Sequence, residues 1–303
     1  MKRKCLPLFL VWILIVFFFA PQAFAQRAAA DQSRSFMWEV KSATTTVYIL
    51  GSIHFANPDL YPLPTIIEDA FEKSSVLVVE VNPLTINLKR VKKIVQKKGM
   101  YPDGESLQGS ISDKLLSDLR GSLEKHKIPI QGFISMKPGL CAITLASVLL
   151  MKMGYSPDYG IDQYFAKKAT GKKPIIELET IDQQLSLIFD MPDQELFLKY
   201  TLSDIAKGEN FMAKTVEQWK AGDAEALFGL LLKPYAKDPQ FKPILDKMYF
   251  DRNFKMAARI EGFLKIKKTY FVVVGAAHLI GEKGIIKILE KRNYKVRQFA
   301  QGE

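Results

Sequence analysis

The spacing of apolar residues changes twice along this chain. SFMWEV (35–40), TTTVYILG (44–51) and VLVVEV (76–81) are short alternating or unbroken apolar runs of strand type. Lys41, Ser42 and Ala43 separate the first two, which predicts a β-hairpin. The loop FANPDLYPLP carries three prolines and cannot run on as helix. Thr65 is placed to cap the helix IIEDAFEKS, and Pro83 ends the third strand. From about residue 85 to residue 265 the apolar positions recur at three and four. This predicts helices in LKRVKKIVQKKG, ISDKLLSDLRGSLEKH, KPGLCAITLASVLLMKMG, GIDQYFAKKATGK, IDQQLSLIFD, DQELFLKYTLSDIAK, MAKTVEQWKAG, DAEALFGLLL and RNFKMAARIEGFLKI, with KPIIEL a short strand among them. TYFVVVG then returns to strand, GEKGIIKILEKRN to helix and YKVRQF to strand.

The two ends of the chain share one order: strand, Gly-x-x-His, loop, helix, strand. The expected architecture is α/β, a central mixed sheet built from these two units, with a large helical middle region (about 85–265) covering a cleft. If both units contribute to one sheet, the histidines leave the carboxyl ends of strands, the edge where open α/β sheets place ligands.

The first residues, MKRKCLPLFLVWILIVFFFAPQAFAQ, add a compartment. Lys2, Arg3 and Lys4 precede an apolar run from Leu6 to Ala20, and Ala23-Phe24-Ala25 forms an A-x-A site. This predicts a signal peptide over 1–25, cut near Ala25, and a periplasmic or secreted mature chain with no stable membrane anchor. The alternative is an uncleaved anchor, for which the run is short. Residues 26–35 then form a flexible lead-in, and residues 36–303 a single domain. Cys5 leaves with the leader, so Cys141 is the sole mature cysteine and an internal disulfide is excluded. It lies in an apolar helical stretch as a small hydrophobe. Lysine and arginine (43) outnumber aspartate and glutamate (32), but the excess is spread along the chain. Clusters such as VKKIVQKK lack the interleaved aromatics of a single-strand binder, so nucleic acid is not an expected partner.

The chain holds three histidines, and two of them follow the pattern Gly51-x-x-His54 and Gly275-x-x-His278. Glycine lets the backbone turn sharply out of a strand, and a neutral imidazole there can bind a metal or act as a base. The third, His126, ends a charged helix, where the helix dipole favours it. Glu80 sits at the end of a buried-type strand, where a carboxylate is costly unless paired or coordinated. Asp158 reads as a cap, and Glu177 and Glu179 alternate on one strand face.

GSIHFANPDLYPLP, VLVVEVN, PDYGIDQYF, IIELET, DRNFKMAARI and VVVGAAHLIGEKGIIKILEKRNYKV occur in an order that resembles the TraB/GumN family, related to the animal Tiki proteases. The resemblance runs from Phe36 to Phe299. It implies a fold similar to the erythromycin-esterase/ChaN-like group and a metal-dependent protease site at His54, His278, Glu80 and Arg252. In that reading His54, His278 and Glu80 hold a divalent ion (manganese, cobalt or zinc), with Glu80 as third ligand or general base. Arg252 stabilises an oxyanion, and the substrate is a peptide or protein. The resemblance also implies a cleft role for Asp162, and an ordinary helix-surface ion pair with Asp251 or a neighbour is the other reading of Arg252. Rival functions are a metal-independent esterase-like hydrolase using histidine as base, a haem- or metal-binding periplasmic protein, and a structural partner without activity. No Gly-rich phosphate loop and no Gly-x-Ser-x-Gly elbow occurs, which argues against nucleotide-dependent and serine-hydrolase chemistry.

Overall fold

The computed structural model describes residues 34–206 and 210–300. The expected signal peptide and all but the last two residues of the expected lead-in lie outside them. The first element, β1 (Arg34–Lys41), pairs antiparallel with β2 (Thr46–Ser52) as the expected hairpin. Arg34 and Ser35, read as the end of the lead-in, already belong to that strand. Then come α1 (Thr65–Lys73) and β3 (Val76–Val79). The helical middle region contains α2 (Leu88–Ile94), α3 (Asp113–Lys125), α4 (Pro138–Lys152) and α5 (Ile161–Ala169). After β4 (Ile175–Glu177) it continues with α6 (Ile181–Phe189), α7 (Gln194–Ala206), α8 (Phe211–Lys220) and α9 (Ala224–Leu231). It ends with α10 (Lys233–Ala236), α11 (Lys242–Leu245) and α12 (Asp251–Phe263). β5 (Tyr270–Gly275), α13 (Ile285–Lys291) and β6 (Lys295–Ala300) follow.

The six strands form one mixed sheet in the order β4-β3-β5-β2-β1-β6. β2, β5, β3 and β4 are mutually parallel, and β1 runs against both of its neighbours. β3 and β5 are buried at every position, the pattern of parallel strands covered on both faces. Successive strand residues point to opposite faces. Accordingly Phe271 meets Phe71 of α1 and Phe165 of α5, with ring centroids 5.6 and 4.8 Å away, while Tyr270 stacks on Phe263 of α12 at 4.6 Å. The first Gly-x-x-His unit crosses one intervening strand to reach β3, and the second crosses two to reach β6, in the opposite direction along the sheet.

Two local expectations are corrected. Pro64, not Thr65, occupies the position before α1, and its carbonyl accepts the Ile67 N–H at 2.9 Å. Ser156, not Asp158, caps the short 3-10 turn before α5, its side chain accepting the Asp158 N–H. Two further short helices, α10 and α11, form around Pro234 and Pro243. Each proline sits in a first helical turn, where its missing N–H costs nothing. Cys141 is fully buried in α4, and burial pushes its thiol up to about 12, as suits an inert hydrophobe.

Candidate active site

The parallel pairing of β2 with β5 sets Ser52 opposite Gly275, so the two Gly-x-x-His segments leave the sheet side by side. His54 lies two residues past β2, and His278 closes a single 3-10 turn after β5. Gly51 is required by space. A Cβ there would lie 2.4 Å from the Phe36 ring and 3.1 Å from the Ala276 backbone, between the neighbouring strand and the other histidine's segment. Trp219 of α8 donates from its indole nitrogen to the Gly51 carbonyl at 2.6 Å and pins this exit.

His54 is fixed by the entry to α5. Ala56 and Ser156 exchange backbone hydrogen bonds (3.1 and 2.7 Å), and the Ile161 N–H donates to the Ile53 carbonyl at 3.1 Å. Gly160 packs on the His54 carbonyl so closely that a Cβ would come within 2.4 Å of its oxygen. This stitching brings Asp162, in the first turn of α5, onto the imidazole: His54 Nδ1–H donates to Asp162 Oδ2 in a short contact. Ser52 Oγ donates to the other carboxylate oxygen at 3.1 Å. Burial opposes a charged imidazole, but the Asp162 charge and hydrogen bond, with Glu80 beyond, outweigh it and raise the His54 pKa.

His278, fully buried, is fixed from α12. Asn253 Nδ2 donates to the Lys283 carbonyl at 2.8 Å, which leaves Asn253 Oδ1 to accept from His278 Nδ1–H at 2.5 Å. Here the partner is an amide rather than a carboxylate. Burial, with the Arg252 and His54 charges adding to it, lowers the His278 pKa well below the ordinary value and keeps the ring neutral. Both imidazoles therefore have Nδ1–H engaged, and both Nε2 atoms are buried without a hydrogen-bond partner.

Glu80 follows β3, which borders β5 on the side away from β2. Its Oε1 accepts the Gly275 N–H at 2.7 Å and stands 3.8 Å from His278 Nε2. Its Oε2 accepts from Arg252 Nη2 at 2.7 Å and from Gln184 Nε2 at 3.1 Å. Arg252 also binds Glu179 through Nε (2.8 Å) and Nη2 (2.7 Å), and the Met248 carbonyl through Nη1 (2.9 Å). Gln184 bridges Glu80 and Glu179, donating to the latter at 3.2 Å. Burial raises the Glu80 pKa; Arg252, His54 and the Gly275 N–H pull against it, and Glu179 adds to it.

A family model described as "TraB/PrgY/gumN family" matches residues 36–298. The chain belongs to this family. "Uncharacterized protein YbaP" of Escherichia coli strain K12 is 24% identical over 244 residues, 80% of this chain and 87% of that protein. "Metalloprotease TIKI1" of Danio rerio is 23% identical over 325 residues, 89% of this chain and 64% of that protein. An "Uncharacterized protein" of Treponema pallidum strain Nichols is 21% identical, spanning 95% of this chain and 91% of that protein. No solved structure matches.

In this TraB/PrgY/gumN chain the fold brings His54, His278, Glu80 and Arg252 into one region. Arg252 is buried, with 3% exposure, rather than in a surface pair with Asp251. Its guanidinium is committed to Glu80, Glu179 and Met248. Asp162 enters the site, Glu179 joins it through Arg252, and Glu177 turns away to accept the Asn82 N–H. His126 lies elsewhere, at the end of α3. Asn253, Gln184 and Ser52 were not singled out from the sequence. Asn253 carries a retrospective signal: with Arg252 it makes two adjacent polar residues on the apolar side of a helix.

Among the described residues no three His, Cys, Asp or Glu side chains converge as a metal-holding group. The donor chemistry of the pair nevertheless fits a divalent ion. Two Nε2 lone pairs are bare, each on a ring oriented through Nδ1–H, the usual second-layer support of a metal-binding histidine. Each Glu80 oxygen has two acceptor positions, so the Gly275 bond leaves one on Oε1, the side of His278. No helix of the described residues is long and apolar enough to cross a membrane.

Proposed function

We propose that this chain is an exported hydrolase of peptide or related amide bonds, working with a divalent ion held by His54 and His278. Glu80 is the third donor or the base. The observation that carries this reading is the pair of buried, partnerless Nε2 atoms on rings whose Nδ1–H groups are already tied to Asp162 and Asn253. The likeness to a protein named as a metalloprotease agrees with it. A bound ion supplies carbonyl polarisation and a more acidic water. Manganese, cobalt and zinc all suit the donor set.

The protein's own groups do the rest. Asp162 and Asn253 hold the two rings in the tautomer that presents Nε2. Glu80, held at the edge of the pair, can take a proton from water and return it to the leaving amine. Arg252 holds Glu80 and Glu179 side by side and offsets their charge. Four of its five N–H groups are bonded, which makes it first a positioning group for Glu80.

The Asp162–His54 pair favours a second reading, a metal-independent hydrolase in which His54 Nε2 takes the proton of water, with Asp162 orienting the ring and supporting its charge. Elemental analysis of exported protein purified without chelator, alongside His54→Ala and His278→Ala, separates the two. Near-stoichiometric metal in the parent, lost in both variants, with peptide-library cleavage abolished by chelation, supports the first. Cleavage that survives chelation and needs His54 alone supports the second. Absence of both metal and cleavage under all conditions rules out both.

A further inference from the structure

The stretch 85–100, TINLKRVKKIVQKKGM, carries Lys89, Arg90, Lys92, Lys93, Lys97 and Lys98 and no acidic residue. α2 and the wide helical turn that continues it (Val95–Gly99) bury Val91 and Val95 against the protein. Lys89, Lys92, Lys93, Gln96 and Lys97 are all exposed, and their spacing puts them on one side of the helix. At the flanks Arg90 pairs with Asp182 and Lys98 with Asp190. The four lysines between them have no carboxylate partner among the described residues. Uncompensated like charges on one face repel each other, so the face is best satisfied by an external array of negative charge.

An apolar edge borders these lysines. Leu88, at the first position of α2, is 40% exposed, and Leu84, in the preceding turn, is 42% exposed. The exposure of Leu84 is built. Asn82 anchors the turn by donating its N–H to Glu177 at 2.6 Å; its side-chain oxygen accepts the Leu84 N–H at 3.1 Å, and its carbonyl accepts the Thr85 N–H at 3.2 Å. Asn87 then caps α2 by accepting the Arg90 N–H at 3.1 Å.

We infer that this face docks the protein on an anionic lipid surface, with Lys89, Lys92, Lys93 and Lys97 against headgroup phosphates and Leu84 and Leu88 entering the interface. Lysine point charges beside exposed aliphatic side chains suit a diffuse array of headgroups over an apolar layer. Nucleic acid fits less well, because residues 84–98 hold no Phe, Trp or Tyr on which a base could stack. The turn that presents Leu84 begins two residues beyond Glu80, so docking brings the candidate active site close to the lipid surface. The inference does not depend on the chemistry of that site.

The test is co-sedimentation of the full chain with two kinds of vesicle: phosphatidylethanolamine mixed with phosphatidylglycerol, and phosphatidylcholine alone. Binding driven by the leader appears on both, whereas binding through the lysine face appears on the anionic vesicles. That binding should weaken steeply with salt, as the screening length falls from about 8 Å at 0.15 M to about 3 Å at 1 M. Lys89→Gln, Lys92→Gln, Lys93→Gln and Lys97→Gln together should lower anionic binding by at least about tenfold, at a few-fold per lysine. Leu84→Ser with Leu88→Ser should lower it further without changing the salt dependence. A control with Lys125, Lys152, Lys172 and Lys265 changed to Gln should bind like the parent, and circular dichroism should show every variant folded. Equal binding to both vesicle types, equal loss in the control, or tighter binding to duplex DNA than to anionic vesicles would overturn the inference.

Discussion

Ser52 and Gly275 stand opposite each other in adjacent parallel strands. That single register pair brings together two histidines from opposite ends of the chain. A parallel pair cannot be closed by a tight turn and needs a long connection. Here that connection runs through α1, β3 and the helical middle region, and it also delivers the site's other polar groups: Glu80 after β3, Asp162 from α5, Gln184 from α6, and Arg252 and Asn253 from α12.

The two histidines predict opposite limbs of a stability–pH curve for metal-free protein. The folded-state pKa of His278 is depressed, so below the ordinary histidine value the unfolded chain binds a proton that the native chain does not. Stability should fall on acidification from about pH 6.5, by up to about 1.4 kcal/mol per pH unit from this group. The pKa of His54 is raised, so its contribution is full below the ordinary value and fades as pH climbs through the folded value. Urea unfolding across pH should show the acid limb flattened in His278→Asn and the alkaline limb flattened in Asp162→Asn. Limbs unchanged in both variants would refute the assignment.

Removing the Arg252 guanidinium leaves two buried carboxylates without their partner. Arg252→Met should destabilise the chain by about 3–5 kcal/mol. Arg252→Lys should recover little of this, because one ammonium cannot reach Glu80, Glu179 and the Met248 carbonyl from one rotamer. Adding Glu179→Gln to Arg252→Met should restore part of the loss, and a double-mutant cycle by urea titration measures how much.

Asn253→Ala removes the acceptor that holds His278 Nδ1–H. The expected loss is about 1–3 kcal/mol of stability, the cost of a buried donor left unpaired. If the proposed ion is bound, its affinity should drop about ten- to a hundredfold. Isothermal titration with manganese, cobalt and zinc reads the second effect, and Asn253→Asp, which keeps an acceptor, should retain more affinity than Asn253→Ala.

Gly160→Ala should act through the backbone. The new methyl group would sit 2.4 Å from the His54 carbonyl oxygen, so the entry of α5 must move and Asp162 with it. A cost of about 1–3 kcal/mol follows from overpacking. The imidazole NMR titration of His54 should shift to lower pH as the carboxylate withdraws. An unchanged titration would show that Asp162 does not depend on this packing.

Much of the fold was legible because its signals are local. The hairpin, the unbroken apolar runs of β3 and β5, and the three- and four-residue spacing of the middle region each lie within one window of sequence. The two Gly-x-x-His segments were legible for the same reason, since a strand, a glycine and a histidine are neighbours along the chain. Glu80 stood out because a carboxylate ending an apolar strand needs a partner, although neither the sequence nor the family likeness named Arg252 as that partner. Asn253, Gln184 and Ser52 are ordinary residues in their windows. Their roles exist only where another element presents His278, the two glutamates or Asp162.

By itself, then, the sequence determined the order of elements, the strand exits and the residues able to carry chemistry there, because propensity and periodicity act over a few residues. The tertiary structure decided which exits are neighbours, which glutamate faces Arg252 and which carboxylate meets His54. Asp162 rather than Asp158 reaches the ring, and Glu179 rather than Glu177 reaches the guanidinium. Those choices depend on strand register and on the burial of charges between elements distant in sequence. A buried charge must be paired by whatever the fold brings beside it, and no local pattern records what that will be.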